Sequence, residues 1–286
     1  MPPNLRGILW ITMGTVVFAL NDVVIKTLGR KFDPLELAFF RYATGMLILA
    51  PIFARVGVSG LHTKRLGMHG IRLAIAALAQ LGVLISVIKL PLADATSLAF
   101  SRILFTPIVA VMILREVVTG RRWTATAFGF VGVIVMVRPG QGAIDPVALI
   151  AIGSALSFAV ANVLIAFLSK TEPPIRILFY YHLGAMMLFA IPAVAVWQWP
   201  NGVEWALMAA IGVLTTLGMV GFVRGFAIGE ASVIGPMEYT RLIYAAIFGF
   251  FFFSEIPDLW TLTGALIVIA STSAIARMDG RRSGRG

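Results

Sequence analysis

Arg102 and Arg241 stand deep inside long apolar runs of this sequence, and so do Asn21, Asp22, Asn162 and His182. A guanidinium offers a planar fork of N–H donors that matches a carboxylate at two points. In an apolar medium it persists only beside an anion, an acceptor or water. Two roles are therefore open to the two arginines. Either they flank a cavity and attract a solute carboxylate, or each closes an ion pair that pins or gates a helix. Glu238, three residues before Arg241, shares its helical face and is the local ion-pair candidate. Asn21 and Asn162 offer amides to a solute. Asp22 fits a proton-coupling carboxylate, but an interface residue paired with Lys26 at i+4 is the preferred reading. His182 titrates near neutral pH when unperturbed and is assigned to gating or packing. Phe100 and Tyr239 are the aromatics expected beside a cavity, from a wider set that includes Phe105, Tyr180, Tyr181 and Tyr244.

No pattern for bond-making chemistry accompanies these residues. Cysteine is absent, so thiol nucleophiles, thiolate metal sites and disulfides are excluded. His62 and His69 stand seven apart in a basic stretch with no acidic neighbour. A Gly-Lys-Ser/Thr phosphate loop is also absent, which argues against ATP-driven chemistry in this chain. No catalytic residue, metal or cofactor is expected, and a membrane enzyme is a remote alternative.

The elements that must position the polar residues follow from composition. Apolar residues make up 59% of the 286 and charged residues 13%, about half the usual charged share of a soluble domain. Such a chain cannot cover its own surface in water, so its solvent is lipid. Apolar runs of roughly spanning length fall at 8–28, 35–53, 71–88, 95–114, 123–137, 147–168, 177–197, 205–228, 231–253 and 259–276. The expected fold class is an all-α integral membrane protein of ten transmembrane helices. With the N-terminus placed in the cytoplasm, inner segments hold fifteen Lys and Arg and outer segments five, the other three of the 23 lying within apolar runs. That bias fits a multi-pass protein of a bacterial-type inner (plasma) membrane with both termini cytoplasmic. The net charge of +10 is spread along alternate loops, so nucleic acid is not an expected partner. The lipid bilayer is.

The chain also partly matches itself. At an offset of 139, Arg102, Glu116 and Arg138 fall on Arg241, Glu255 and Arg277. At 140, Phe18, Pro34 and Phe39 fall on Phe158, Pro174 and Phe179. The expected organisation is a first five-helix repeat over 1–138, a linker over 139–146, and a second repeat over 147–286 with a basic tail. Five is odd, so the halves enter the membrane in opposite directions. Inverted repeats can exchange conformations about a central cavity and open it to either side in turn.

The residues that carry a family resemblance are segment 90–100 (LPLADATSLAF), running through Arg102 and Pro107 to Arg115–Glu116, and its counterpart 229–239 (GEASVIGPMEY), running to Ser254–Glu255. Through them essentially the whole chain resembles the drug/metabolite transporter superfamily, in its EamA-type ten-helix form. The resemblance implies export of amino acids and other metabolites and a cavity lined by spans 1, 3, 4, 6, 8 and 9. Glutamates recur in that family at the places of Glu116 and Glu255, read here as interface residues. The GxxxG spacings of Gly221, Gly225 and Gly229 point to close helix packing, and Pro107, Pro192 and Pro236 to kinks or breaks. The expectation is a secondary transporter of small anionic or zwitterionic solutes, a monomer or homodimer, with proton coupling open to it. Multidrug cation efflux is the alternative, disfavoured because Arg41, Arg102 and Arg241 outnumber Asp22 and Glu238 within the runs.

Overall fold

A computed structural model describes residues 3–115, 117–137, 145–228 and 235–283. Glu116, Arg138, Gly229 and most of the expected linker lie outside them. The described residues form helices α1 (Pro3–Leu28), α2 (Pro34–Leu61), α3 (Leu66–Lys89), α4 (Leu92–Ala99), α5 (Arg102–Leu114), α6 (Gly120–Val137), α7 (Pro146–Leu168), α8 (Pro174–Ala195), α9 (Gly202–Ile228), α10 (Thr240–Phe253) and α11 (Leu259–Ser283), with a 3-10 turn over Gly235–Tyr239. No strand occurs among them. In lipid, this leaves each backbone N–H and C=O paired within its own segment.

Seven segments are long and apolar enough to cross a membrane, one of them Leu92–Leu114, which joins α4 to α5. Trp123–Val137 and Leu259–Ser271 are apolar but shorter. Side chains such as Leu47, Met112, Ile191 and Phe251 point outward, each at least 75% exposed. Outward-facing apolar surface on this scale belongs in lipid.

The fourth span is tightened rather than kinked at its proline. Ser101, Ile103 and Leu104 donate to carbonyls three residues back, while Pro107 and Pro192 sit inside continuous helices. The ninth span begins the same way, with the 3-10 turn holding Pro236 and α10 starting at Thr240. The Ser101 hydroxyl donates to Leu98 O and the Thr240 hydroxyl to Met237 O, both at 2.6 Å. Arg115 (φ 56°) and Ser254 (φ 57°), 139 residues apart, cap α5 and α10 in the left-handed region. They are the non-glycine residues with positive φ among those described.

Helix pairing has a matching regularity. The most extensive contacts are α1 with α9, α3 with α7, α2 with α8 and α6 with α11, and α10 also packs on α4 and α1. Glycines allow the closest approach. A Cβ at Gly221 would lie 2.8 Å from Trp10 O and 2.9 Å from the Gly14 Cα, and one at Gly225 would meet Ile11 and Gly7 O. Two of the expected GxxxG glycines therefore set the α1–α9 contact. Gly221→Val should force these helices apart and cost about 1–3 kcal/mol, read as an earlier thermal transition in detergent, whereas Gly153→Val, which faces open space, should change little.

One end of the bundle is tied by Glu172, between α7 and α8. It accepts from the Thr63 hydroxyl and from Arg176, both at 2.7 Å, and Arg176 also donates to Gly60 O. Burial by itself raises the Glu172 carboxyl. The hydrogen bonds from Arg176 and Thr63 and the positive charge around it outweigh that, and hold it below the usual glutamate value. A lowered native pKa means the tie stabilises the fold above the unfolded carboxyl's pKa of about 4.3. That contribution is lost as pH falls through the native value. Melting of the wild type should drop more steeply below about pH 4.3 than that of Glu172→Gln. Parallel melting curves would refute the tie.

Candidate functional site

Helices α1, α3, α4, α7 and α10 line a small, narrow cleft formed by Asp22, Val83, Ser86, Val87, Ala95, Thr96, Ala99, Ala151 and Arg241. Five of the six spans expected around a cavity contribute, and the eighth, α9, does not. The tightened ninth span matters here, because it places Arg241 in the first turn of α10, facing α1.

Arg241 donates to the Asp22 carboxylate at 2.7 Å, with the Asp22 side chain 5% exposed and that of Arg241 21%. The guanidinium also lies 5.4 Å from the Phe18 ring centroid, and its Nε has no partner among the described residues. One turn nearer the start of α1, the Thr15 and Thr240 hydroxyls meet at 3.0 Å. This corrects two local expectations. Asp22 pairs with Arg241 rather than Lys26, and Arg241 pairs with Asp22 rather than Glu238. Glu238 sits in the 3-10 turn, in electrostatic contact with both Arg102 and Arg241. A charge-assisted pair across two helices outweighs an i,i+4 contact, which is worth only a few tenths of a kcal/mol.

Lys26 forms its ion pair with Glu255 just beyond α10, and also donates to Leu90 O. The second Glu255 oxygen accepts from Leu92 N–H at 2.8 Å. One carboxylate thus ties the end of α10 to α1 and to the start of α4, closing the end of the bundle above the cleft. Lys31–Glu204 at 2.7 Å and the Thr261 hydroxyl on Asp94 at 2.7 Å lie at that same end.

The remaining expected residues are placed as follows. Phe100 is buried, its ring 5.3 Å from Tyr239, and it packs beside the cleft rather than lining it. Arg102, half-buried at the start of α5, faces Glu238, Arg241 and Tyr239 electrostatically. Asn21 is 2% exposed, and its Oδ1 has no partner among the described residues. Asn162 is exposed. It stands eleven residues beyond the cleft residue Ala151 on nearly the same face of α7, about 16 Å further along. His182 lies away from the cleft, its Nδ1 donating to Leu178 O at 3.1 Å. Tyr180 and Tyr181 lie with it, around α3 and α8. Sequence reasoning missed Ser86, Thr96 and the Lys26–Glu255 tie. A lysine one turn from a helix end is read as solvated unless its distant partner is known. Among the described residues no group of His, Asp and Glu is arranged to hold a metal.

Apolar helices around a small cleft with a charged floor, closed at one end by ion pairs, define a membrane transporter rather than an enzyme. The EamA-like transporter family matches residues 5–138 and again 146–277, and the chain belongs to that family. The S-adenosylmethionine uptake transporter of Rickettsia prowazekii (strain Madrid E) is 31% identical over 268 residues, 94% of this chain and 91% of the relative. The riboflavin transporter of Vibrio cholerae serotype O1 is 26% identical over 98% of this chain and 96% of its own. The pseudopaline exporter of Pseudomonas aeruginosa is 27% identical over 95% and 96%. A solved crystal structure covering 98% of both chains superposes with a TM-score of 0.62 at 16% identity, a likeness of fold alone.

If the Lys26–Glu255 tie closes that end, opening it costs the pair. Lys26→Met or Glu255→Gln alone leaves a buried charge and should destabilise by about 3–5 kcal/mol. Lys26→Met combined with Glu255→Gln should recover most of that loss. Thermal melting of the four proteins checks it, and additive losses would exclude the pair.

Proposed function

We propose that this chain is a ten-span secondary transporter of small metabolites bearing an amino-acid headgroup, working by alternating access between two inverted five-helix halves. The single observation that carries the substrate reading is the Asp22–Arg241 pair in the cleft. Separated by a zwitterion, Arg241 would take the carboxylate and Asp22 the ammonium, with the Ser86 and Thr96 hydroxyls beside them. Buried charge supports the same class. Around the cleft Arg102 and Arg241 stand against Asp22 and Glu238, a balance, whereas a site for lipophilic cations requires an acidic excess.

The inverted duplication is supported by the left-handed caps 139 residues apart, by the two family matches, and by the pairing of helices. Exchanging each span with the one five later turns α1–α9 into α7–α3 and leaves α2–α8 and α6–α11 unchanged. An inner membrane and cytoplasmic termini rest on loop charge. Arg72 is buried in α3 and Lys26 in α1, so the inner count becomes fourteen, fifteen less one, and the outer four, five less one. The relatives include an uptake carrier and an exporter, and the notion of export narrows accordingly. The same cleft serves either direction, set by the gradients. S-Adenosylmethionine, an α-amino acid, is the first solute to test.

The test is transport into proteoliposomes of a solute and its carboxamide analogue, normalised to inserted protein. Arg241→Gln should lower affinity for the carboxylate on the order of 10- to 100-fold and affect the amide far less. Arg102→Gln should follow the same pattern only if Arg102 also reaches the solute. Equal losses for carboxylate and amide in Arg241→Gln would sink the headgroup reading and leave the arginine structural.

A further inference from the structure

Arg72 is a second buried guanidinium, and among the described residues it has no counter-charge. It sits 6% exposed in α3. Among the described residues no hydrogen bond or salt bridge reaches it, and its buried Nε is without a partner. Its guanidinium carbon lies 4.6 Å from the Tyr181 ring centroid. That cation–π contact supplies no hydrogen-bond acceptor to the five N–H donors of the group.

The groups around it are also donors. His69, one turn earlier on the same face, is 5% exposed, its Nε2 is unpartnered, and its ring lies 4.7 Å from that of Tyr180. The Tyr42 and Tyr181 hydroxyls meet at 2.6 Å. One proton closes that bond, and the other is left to donate elsewhere. Arg41 and His182 complete the surroundings, both in electrostatic contact with the cluster. The nearest carboxylate, Glu172, is occupied by Thr63 and Arg176 and acts on His69 rather than on Arg72.

We propose that Arg72, His69 and the Tyr42–Tyr181 pair form an oxyanion site for a phosphate group between α2, α3 and α8, separate from the Asp22–Arg241 cleft. A buried guanidinium in lipid persists beside an anion, another acceptor or water, and among the described residues no carboxylate pairs with it. Donors converging from three helices suit an anion with several oxygens better than a flat carboxylate. Arg72 stands six residues, about 9 Å, inside the end of α3, and helical side chains tilt toward the N-terminus. The guanidinium therefore leans toward the bundle end that holds Glu172, within reach of a lipid headgroup. Basic pockets between spans commonly hold such headgroups. The phosphate belongs either to an anionic lipid or to a soluble phosphorylated solute.

Delipidated full-length protein in maltoside detergent separates these. Phosphatidylglycerol, inorganic phosphate and diacylglycerol of the same acyl chains are added in turn, with native mass spectrometry and thermal melting as readouts. Wild type should bind and be stabilised by one of the phosphate-bearing probes and not by diacylglycerol. Response to phosphatidylglycerol alone assigns a lipid headgroup, and response to inorganic phosphate assigns a soluble solute. Arg72→Gln should weaken that binding on the order of 10- to 100-fold, and Arg72→Lys, which keeps the charge without the fork, by less. If Arg72→Gln does not fold, His69→Gln and Tyr181→Phe keep the charge and should each still weaken binding. Binding by neither phosphate probe, or binding that these variants leave unchanged, overturns the site.

Discussion

The ion pair between Asp22 and Arg241 joins the first span to the ninth across 219 residues of sequence, and the cleft is built around it. In lipid neither charge could stand alone. A guanidinium or carboxylate without a partner costs several kcal/mol. The pair therefore fixes which face of α1 meets which face of α10, and the small residues Ala95, Ala99 and Ala151 leave open the space beside it. Lys26, one turn further along α1, repeats the same logic with Glu255 at the other end of α10. Two clamps thus hold one helix pair, one inside the cleft and one closing its end.

The tightened turns at Ser101 and at Gly235–Tyr239 make that placement work. Each brings an arginine to the first residues of a new helix, at mid-span. The hydroxyls of Ser101 and Thr240 donate to carbonyls three residues back, within the same turns. Arg115 and Ser254 then end the two helices in a conformation that costs a non-glycine residue about 1–2 kcal/mol. The two caps stand 139 residues apart, the same spacing that separates Arg102 from Arg241.

Much of this was legible in the sequence. Apolar runs located seven membrane-length segments, although α1, α2, α3 and α11 each extend five to eight residues past a run's edge. The partners of the charges were not legible. Local rules offered Lys26 to Asp22 and Glu238 to Arg241, because i,i+4 neighbours are the only contacts a sequence displays directly. The actual partners come from tertiary packing of helices far apart in the chain. Arg72 was counted in a loop, since an arginine near the edge of an apolar run marks a boundary by hydropathy, yet α3 begins six residues earlier, at Leu66. Ser86 and Thr96 gave no signal, being small polar residues that a membrane helix satisfies with its own carbonyls.

Charge balance inside the cleft also constrains what can be carried. A zwitterion that separates Asp22 from Arg241 replaces one ion pair with two, and no charge is left unmatched. A solute bearing only a carboxylate would take Arg241 and strand Asp22 in an apolar setting. A solute bearing only a cation would strand Arg241, which cannot shed its proton at any physiological pH. The same two residues therefore rank the solute classes. On the proposed headgroup reading, zwitterions fit the pair best and simple cations least.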